Sequence, residues 1–211
     1  MLVRVRQKVQ KMSLSKLNHL PAVNHLKKDP VIGKIVDEKI VFEWGESENL
    51  FVDIVENIIG QQLSGKAAGT IIKRFETLVT LPITPQKILK FSDQQLRDVG
   101  MSWAKVKYVK CLSEAVINKT LDLEKIKTLP DNEVIVQLTK VKGIGRWTAE
   151  MVLIFFLRRP DVFSLGDLGL RSAVSKLYKV DRNDLKKIEK ISLGWKPYRS
   201  LASRYLWKSL D

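Results

Sequence analysis

The residues whose types and spacing could do chemistry lie between 138 and 170, in LTKVKGIGRWTAEMVLIFFLRRPDVFSLGDLGL. Gly143-Ile144-Gly145 separates two stretches of helical apolar spacing, so it reads as a tight turn joining two helices. A reversal in so few residues predicts that both glycines take backbone angles closed to residues with a Cβ. It also leaves the amides of Gly143, Gly145 and Arg146 at the start of a helix, where no carbonyl of that helix accepts from them. Lys140, Lys142 and Arg146 surround those donors with positive charge. Such a cluster suits a phosphate oxygen, and equally an ordinary turn with a solvated basic rim. Twenty-two residues after Gly145, Asp167 follows a glycine and precedes an apolar run in Phe163-Ser164-Leu165-Gly166-Asp167-Leu168-Gly169-Leu170. A carboxylate so placed is, on its own, most often an N-cap.

Taken together, Val141-Lys142-Gly143-Ile144-Gly145-Arg146-Trp147-Thr148-Ala149 and the segment from Phe163 to Leu170 resemble the helix-hairpin-helix DNA glycosylases, in the DNA-3-methyladenine glycosylase II branch. Two further blocks resemble the same branch: Ile59-Gly60-Gln61-Gln62-Leu63-Ser64-Gly65-Lys66-Ala67-Ala68 and Trp195-Lys196-Pro197-Tyr198-Arg199-Ser200. The four motifs keep the family's order over about residues 45 to 208. Val141 and Lys142 replace the family's usual leucine and proline, making the turn less pre-set and more basic.

The resemblance implies an all-α, two-lobed fold with the active site in the cleft between the lobes. One domain would span residues 46–160, and the other would join residues 1–45 to 161–211. It implies hydrolysis of the bond between an alkylated purine and deoxyribose, with Asp167 as the catalyst and Asp161 the second carboxylate, read as structural. Trp147 occupies the hairpin position where strand-nicking relatives carry a Schiff-base lysine, which implies a monofunctional enzyme. Trp147 is the first candidate for the base pocket, followed by Trp44, Trp103 and Trp195, each of which core packing would explain as well. Contacts to DNA are implied for Gln62, Leu63, Ser64, Lys66, Lys142, Gly143, Gly145, Arg146 and Thr148. Of these, Gln62 would fill the gap left by an extruded nucleotide, with Leu63 the alternative. The implied partner is double-stranded DNA holding a damaged base, bound by a monomer without an organic cofactor. A monovalent cation at the hairpin is left open. The chain resembles the compact form that lacks an N-terminal β-domain. Two other readings stay open: a non-catalytic helix-hairpin-helix module, and a bifunctional lyase acting on oxidised bases.

Charge supports a polyanionic partner. The 211 residues carry a formal +14, and its distribution is uneven. Residues 1–28 hold seven Lys or Arg and no acid, residues 171–211 hold eleven against four, and 29–170 hold nineteen of each. All the excess therefore lies in the two ends. Amphipathic helical spacing points to a folded basic face rather than a floppy tail, which favours nucleic acid over an acidic membrane. A single cysteine, Cys111, excludes an internal disulfide and a four-cysteine iron–sulfur cluster, and with only His19 and His25 besides, no metal site is expected. The interleaved charges of MLVRVRQKVQKM do not read as a signal peptide, and Met151–Leu157 is too short to span a bilayer, so an intracellular, DNA-associated protein is expected.

The elements that must position these residues are helical. Apolar residues at 50, 51, 54, 55, 58 and 59 form one stripe. Ser64 and Ser102 are expected N-caps, and helices are expected over 85–90, 93–99, 103–118, from 131 into the hairpin, from Asp167 to 178 and over 181–191. Pro197 is expected to start a final helix. Residues 1–12 and 37–44 are the only stretches with a hint of strand.

Overall fold

The computed structural model of the chain describes residues 19–40, 42 and 49–210. The described residues form α-helices with no strand among them. They fall into two compact units, one of residues 49–157 and one of residues 19–40, 42 and 158–210.

In the first unit, Asn49 opens helix α2 (Leu50–Gly60) by accepting from the amides of Phe51 and Val52, while α1 (His19–Leu26) belongs to the other unit. The stripe seen in the sequence buries Leu50, Phe51, Ile54, Val55, Ile58 and Ile59. Each such burial stabilises the fold by about 1.5–3 kcal/mol, as an upper estimate. Around α2 pack α3 (Gly65–Val79) and α6 (Trp103–Ile117). Ser64 and Ser102 cap them as the spacing indicates, accepting from Ala67 and Lys105. Two short helices, α4 (Pro85–Leu89) and α5 (Asp93–Asp98), lean on α6, and α7 (Leu123–Ile126) is a single turn that apolar periodicity is too short to reveal. The hairpin is α8 (Asp131–Thr139), a turn, and α9 (Arg146–Met151). Past Met151 the chain widens into a π-helix over Val152–Phe156, closed by Leu157 N–H on the Val152 carbonyl at 2.9 Å. The apolar run there does not continue as the α-helix its length implies. Such widened turns occur mainly as short insertions in α-helices. Here Val152, Leu153 and Ile154 are buried, and Phe155 and Phe156 are half-buried.

The second unit joins both ends of the chain in one core. Ala22, Val23 and Leu26 of α1, with Ile32 and Val36, pack against Phe163, Leu170, Ala173, Val174, Trp195, Ala202 and Leu206. Its helices are α10 (Leu168–Tyr178), α11 (Leu185–Leu193) and α12 (Arg199–Lys208). Helix α11 starts later than its periodicity indicates because Asp184, not Asp181, caps it through the Lys187 amide. Helix α12 starts two residues beyond Pro197, after a cis Lys196–Pro197 bond. Among the described residues from 27 to 40, which follow α1 in this unit, a 3-10 turn forms over Ile32–Lys34. The strand suggested for residues 1–12 lies outside the described residues, as does most of 41–48. Residues 37–39 make no strand pairing: Lys39 N–H bonds Asp37 Oδ1 in a local turn.

Candidate active site

In the first unit the hairpin turn is built against α6. Gly143 has φ +95, and a Cβ there would lie 2.0 Å from Tyr108 Cγ, so both backbone angle and space require glycine. Gly145 does not fit that expectation: its φ is −85, its ψ is 173, and nothing lies within 4 Å of where a Cβ would sit. Only one of the two glycines is demanded by the protein's own packing; the other faces open space. Gly145 is the N-cap of α9 and offers no side-chain cap. Among the described residues no acceptor takes the amides of Gly143 or Gly145. Arg146 is exposed, and its Nε donates to Glu150 Oε1 at 2.9 Å, a buried carboxylate one turn on. Lys140 and Lys142 are exposed beside the turn.

A hollow of about 480 Å³ opens beside this turn. It is lined among others by Gln62, Lys105, Tyr108, Lys142, Gly143 and Gly145. Gln62 is exposed and sits at φ +57, a left-handed angle unusual for a residue with a side chain. Leu63 is half-buried, and Ser64 and Lys66 are exposed at the start of α3. Thr148 departs from the expectation of a DNA contact. It is buried, and its hydroxyl oxygen accepts from Gln61 Nε2 at 3.1 Å, so it serves the interior.

The four tryptophans separate. Trp147, the second residue of α9, keeps 38% of its surface exposed. Trp103 is exposed at the start of α6 with the Arg97 guanidinium 5.9 Å from its ring centre, and it does not line the hollow. Trp195 is a correction: it is wholly buried in the second unit's core, edge-on to Phe163, with its indole N–H on Asp29 Oδ2 and the Tyr178 hydroxyl oxygen, each at 3.3 Å. A side chain so enclosed cannot line a base pocket. Trp44 lies outside the described residues.

In the second unit Asp167 is the N-cap that its sequence context indicates. Its Oδ1 accepts from the Leu170 amide at 2.7 Å, which caps α10, and from the indole N–H of Trp207 at 3.0 Å. The residue is 9% exposed. Gly169 makes room for this pair, since a Cβ there would lie 3.1 Å from Asp167 Oδ1 and 3.3 Å from Trp207 Cδ1. Asp161, by contrast, is locked in a two-pronged pair with Arg199: Nε to Oδ1 at 2.6 Å and Nη2 to Oδ2 at 2.9 Å. Burial alone would raise the Asp161 carboxyl, but the Arg199 hydrogen bonds and charge outweigh it and hold it below the usual range. It is a structural carboxylate.

Trp207, Gly169, Gln61 and Lys105 are the residues that sequence reasoning missed. Trp207 is forty residues from Asp167, and no local spacing connects them. Gln61 was visible only as the neighbour of Gln62. Among the described residues no group of three or more His, Cys, Asp or Glu could hold a metal ion, and no helix is long and apolar enough to cross a membrane.

A helical hairpin with uncapped amides in one unit and a held carboxylate at a helix start in the other define a class. Residues 55–197 match the family described as HhH-GPD superfamily base excision DNA repair protein, and the chain belongs to that family. Among its relatives is a DNA-3-methyladenine glycosylase of Schizosaccharomyces pombe, 34% identical over 78% of this chain and 74% of the relative. A putative DNA-3-methyladenine glycosylase of Bacillus subtilis is 35% identical over 73% of this chain but only 56% of its own length. Of solved structures, the DNA-3-methyladenine glycosidase of Bacillus halodurans superposes with a TM-score of 0.77 at 35% identity, covering 90% of this chain and 88% of that one. A 3-methyladenine DNA glycosylase of S. pombe in complex with abasic DNA gives 0.80 at 31%, covering 90% and 96%.

Proposed function

We propose that this chain is a monofunctional DNA N-glycosylase of base excision repair that removes alkylated purines of the 3-methyladenine kind from double-stranded DNA. The relatives and the DNA-bound neighbour support the class of reaction. The observation that carries the mechanism is the Asp167 carboxylate, nearly buried and held in one orientation by the Leu170 amide and the Trp207 indole.

The scissile bond is out of reach inside stacked duplex, so the nucleotide must rotate out, at about a few kcal/mol. The hairpin amides of Gly143 and Gly145, with Lys142 and Arg146, hold backbone phosphate and carry no base information. Gln62, exposed on a strained turn, fills the vacated stack. The cationic alkylated base leaves with the glycosidic electron pair and becomes neutral, while positive charge grows on the sugar. Asp167 stabilises that charge and orients the water that adds to C1′, taking up the proton the water loses. Trp147 offers an electron-rich face to the cationic base and carries no amine for a Schiff base. Water is the only co-reactant, and every residue used is on one chain, so a monomer suffices.

The test is a duplex with one alkylated purine, incubated with wild type and Asp167→Asn and read for free base, strand scission and borohydride-trapped adduct. Wild type releases base, leaves an uncut abasic strand and traps nothing. Equal release by the two proteins would remove Asp167 from the chemistry, and negligible release by both would favour a DNA-binding module. A trapped adduct would favour a lyase.

A further inference from the structure

Gln62 sits at φ +57 with an exposed side chain that makes no hydrogen bond among the described residues. A non-glycine residue pays of the order of 1–3 kcal/mol for such an angle, so the surroundings must hold it there. Two side chains hold the backbone that leads into it. Lys105 of α6 donates Nζ to the Ile59 carbonyl at 2.8 Å and to the Gln61 carbonyl at 2.7 Å. These are acceptors at the C-terminal end of α2, where a cation is favoured. Gln61 spends both amide protons across the unit, on the Gly143 carbonyl at 3.2 Å and on Thr148 Oγ1 at 3.1 Å. Turning the amide over would put its oxygen against the Gly143 carbonyl, so the donor orientation is set by its partner.

The residues joined are 82 and 87 positions apart in the chain. Gln61 therefore does not brace a local turn. It ties the residue before Gln62 to the hairpin turn and to the helix that follows it. Because Gly143 must keep φ +95 against Tyr108, the hairpin end of this tie is rigid.

We infer that Gln61 and Lys105 are positioning residues that lock the Gln62 turn to the hairpin, so that phosphate capture at the hairpin and insertion of the Gln62 side chain occur as one event. This rests on the roles given above to the hairpin and to Gln62. Lys105 fixes the backbone entering the turn, and Gln61 registers it against Gly143. Freed of either, the turn relaxes to an ordinary angle and Gln62 no longer faces the duplex ready to enter.

The experiment uses a duplex with a stable abasic analogue beside 2-aminopurine, whose fluorescence follows insertion without any base release. Gln61→Ala slows insertion by about tenfold, as loss of its two hydrogen bonds allows, and Gln62→Ala, which removes the inserting side chain, slows it at least as much. The double variant is no slower than Gln62→Ala by more than about twofold, because contacting residues in one device are not additive. Lys105→Met behaves like Gln61→Ala, and Lys105→Arg, which keeps donors for both carbonyls, restores insertion to within about twofold of wild type. This last pair keeps the test open if Gln61→Ala fails to fold. Losses that multiply in the double variant, or an insertion rate unmoved by Gln61→Ala, overturn the inference, as does a wild type that gives no insertion signal. Base release from an alkylated duplex is measured alongside. Coupling without release leaves the inference standing and the glycosylase reading fallen, whereas release without coupling does the reverse.

Discussion

Two helices of this protein begin in opposite ways. Helix α9 starts at Gly145 with no side chain to accept from its first amides, and with Lys140, Lys142 and Arg146 nearby. Helix α10 starts at Asp167, whose own carboxylate takes the Leu170 amide. The same backbone need, donors left over at a helix start, meets no side-chain cap in one case and the cap's own carboxylate in the other. A helix start left uncapped and ringed by cations is a place for someone else's anion. One that brings its own anion, and then burdens it with a tryptophan N–H, has fixed a charge in space. In the proposed reaction the first arrangement would hold a phosphate and the second would act on the sugar.

The sharpest way to break this contrast is to keep the cap and remove the charge. Asp167→Asn retains an oxygen for Leu170 and Trp207, so its melting temperature stays close to wild type. Base release in single turnover falls by about 10²–10⁴-fold, the usual range for loss of a positioned acid–base group. A large drop in both would mean that Asp167 is only a cap.

Next comes the pair of hairpin glycines. Gly143→Ala meets Tyr108 and a left-handed φ, and loses about 1–3 kcal/mol or more in denaturant unfolding. Gly145→Ala is accommodated, with stability within about 0.5 kcal/mol of wild type. It nevertheless weakens binding to duplex with an abasic analogue, because its new methyl stands where phosphate must approach. If Gly145→Ala binds as tightly as wild type, the open side of the turn is not the phosphate site.

A carboxylate in a turn outside both helix starts serves as a control. Asp29 accepts from the Val31 and Ile32 amides with one oxygen and from Tyr178 and Trp195 with the other. Burial would raise its carboxyl, but these hydrogen bonds outweigh it, so it titrates below its ordinary value. A lowered folded value means stability that is present above about pH 4, where an unfolded Asp is ionised, and lost as pH falls through the folded value. Asp29→Asn places an amide donor against the Trp195 indole and costs about 1–3 kcal/mol near neutrality. Its acid unfolding profile lacks the wild-type component in that window, while base release by the folded protein is unchanged. The smallest effect is expected at the rim of α9: Lys142→Gln lowers the slope of log affinity against log salt by about one, with unfolding unaltered.

Much of this was legible before any coordinates. The stripe on α2, the serine caps of α3 and α6, the hairpin and the start of α10 follow from spacing, since a helix repeats every 3.6 residues and its first turn needs an acceptor. Asp167 stood out because its neighbours did. Three readings went astray for physical reasons. Trp195 lies in a motif, yet its indole is the centre of a core, and a motif does not reveal which way a large side chain turns. Thr148 stands among the expected DNA contacts, yet its side chain is buried and accepts from Gln61. Gly145 takes backbone angles open to any residue, with open space where a Cβ would lie.

By itself the chain determined which residue types were present and which local elements they would enter, because caps, turns and apolar stripes depend on neighbours a few positions away. Only tertiary structure decided that Trp207 would meet Asp167 across forty residues, and that Gln61 would reach the hairpin across eighty-two. Those contacts set how firmly the Asp167 carboxylate and the turn that carries Gln62 are held. They depend on the packing of distant helices, which no local pattern encodes.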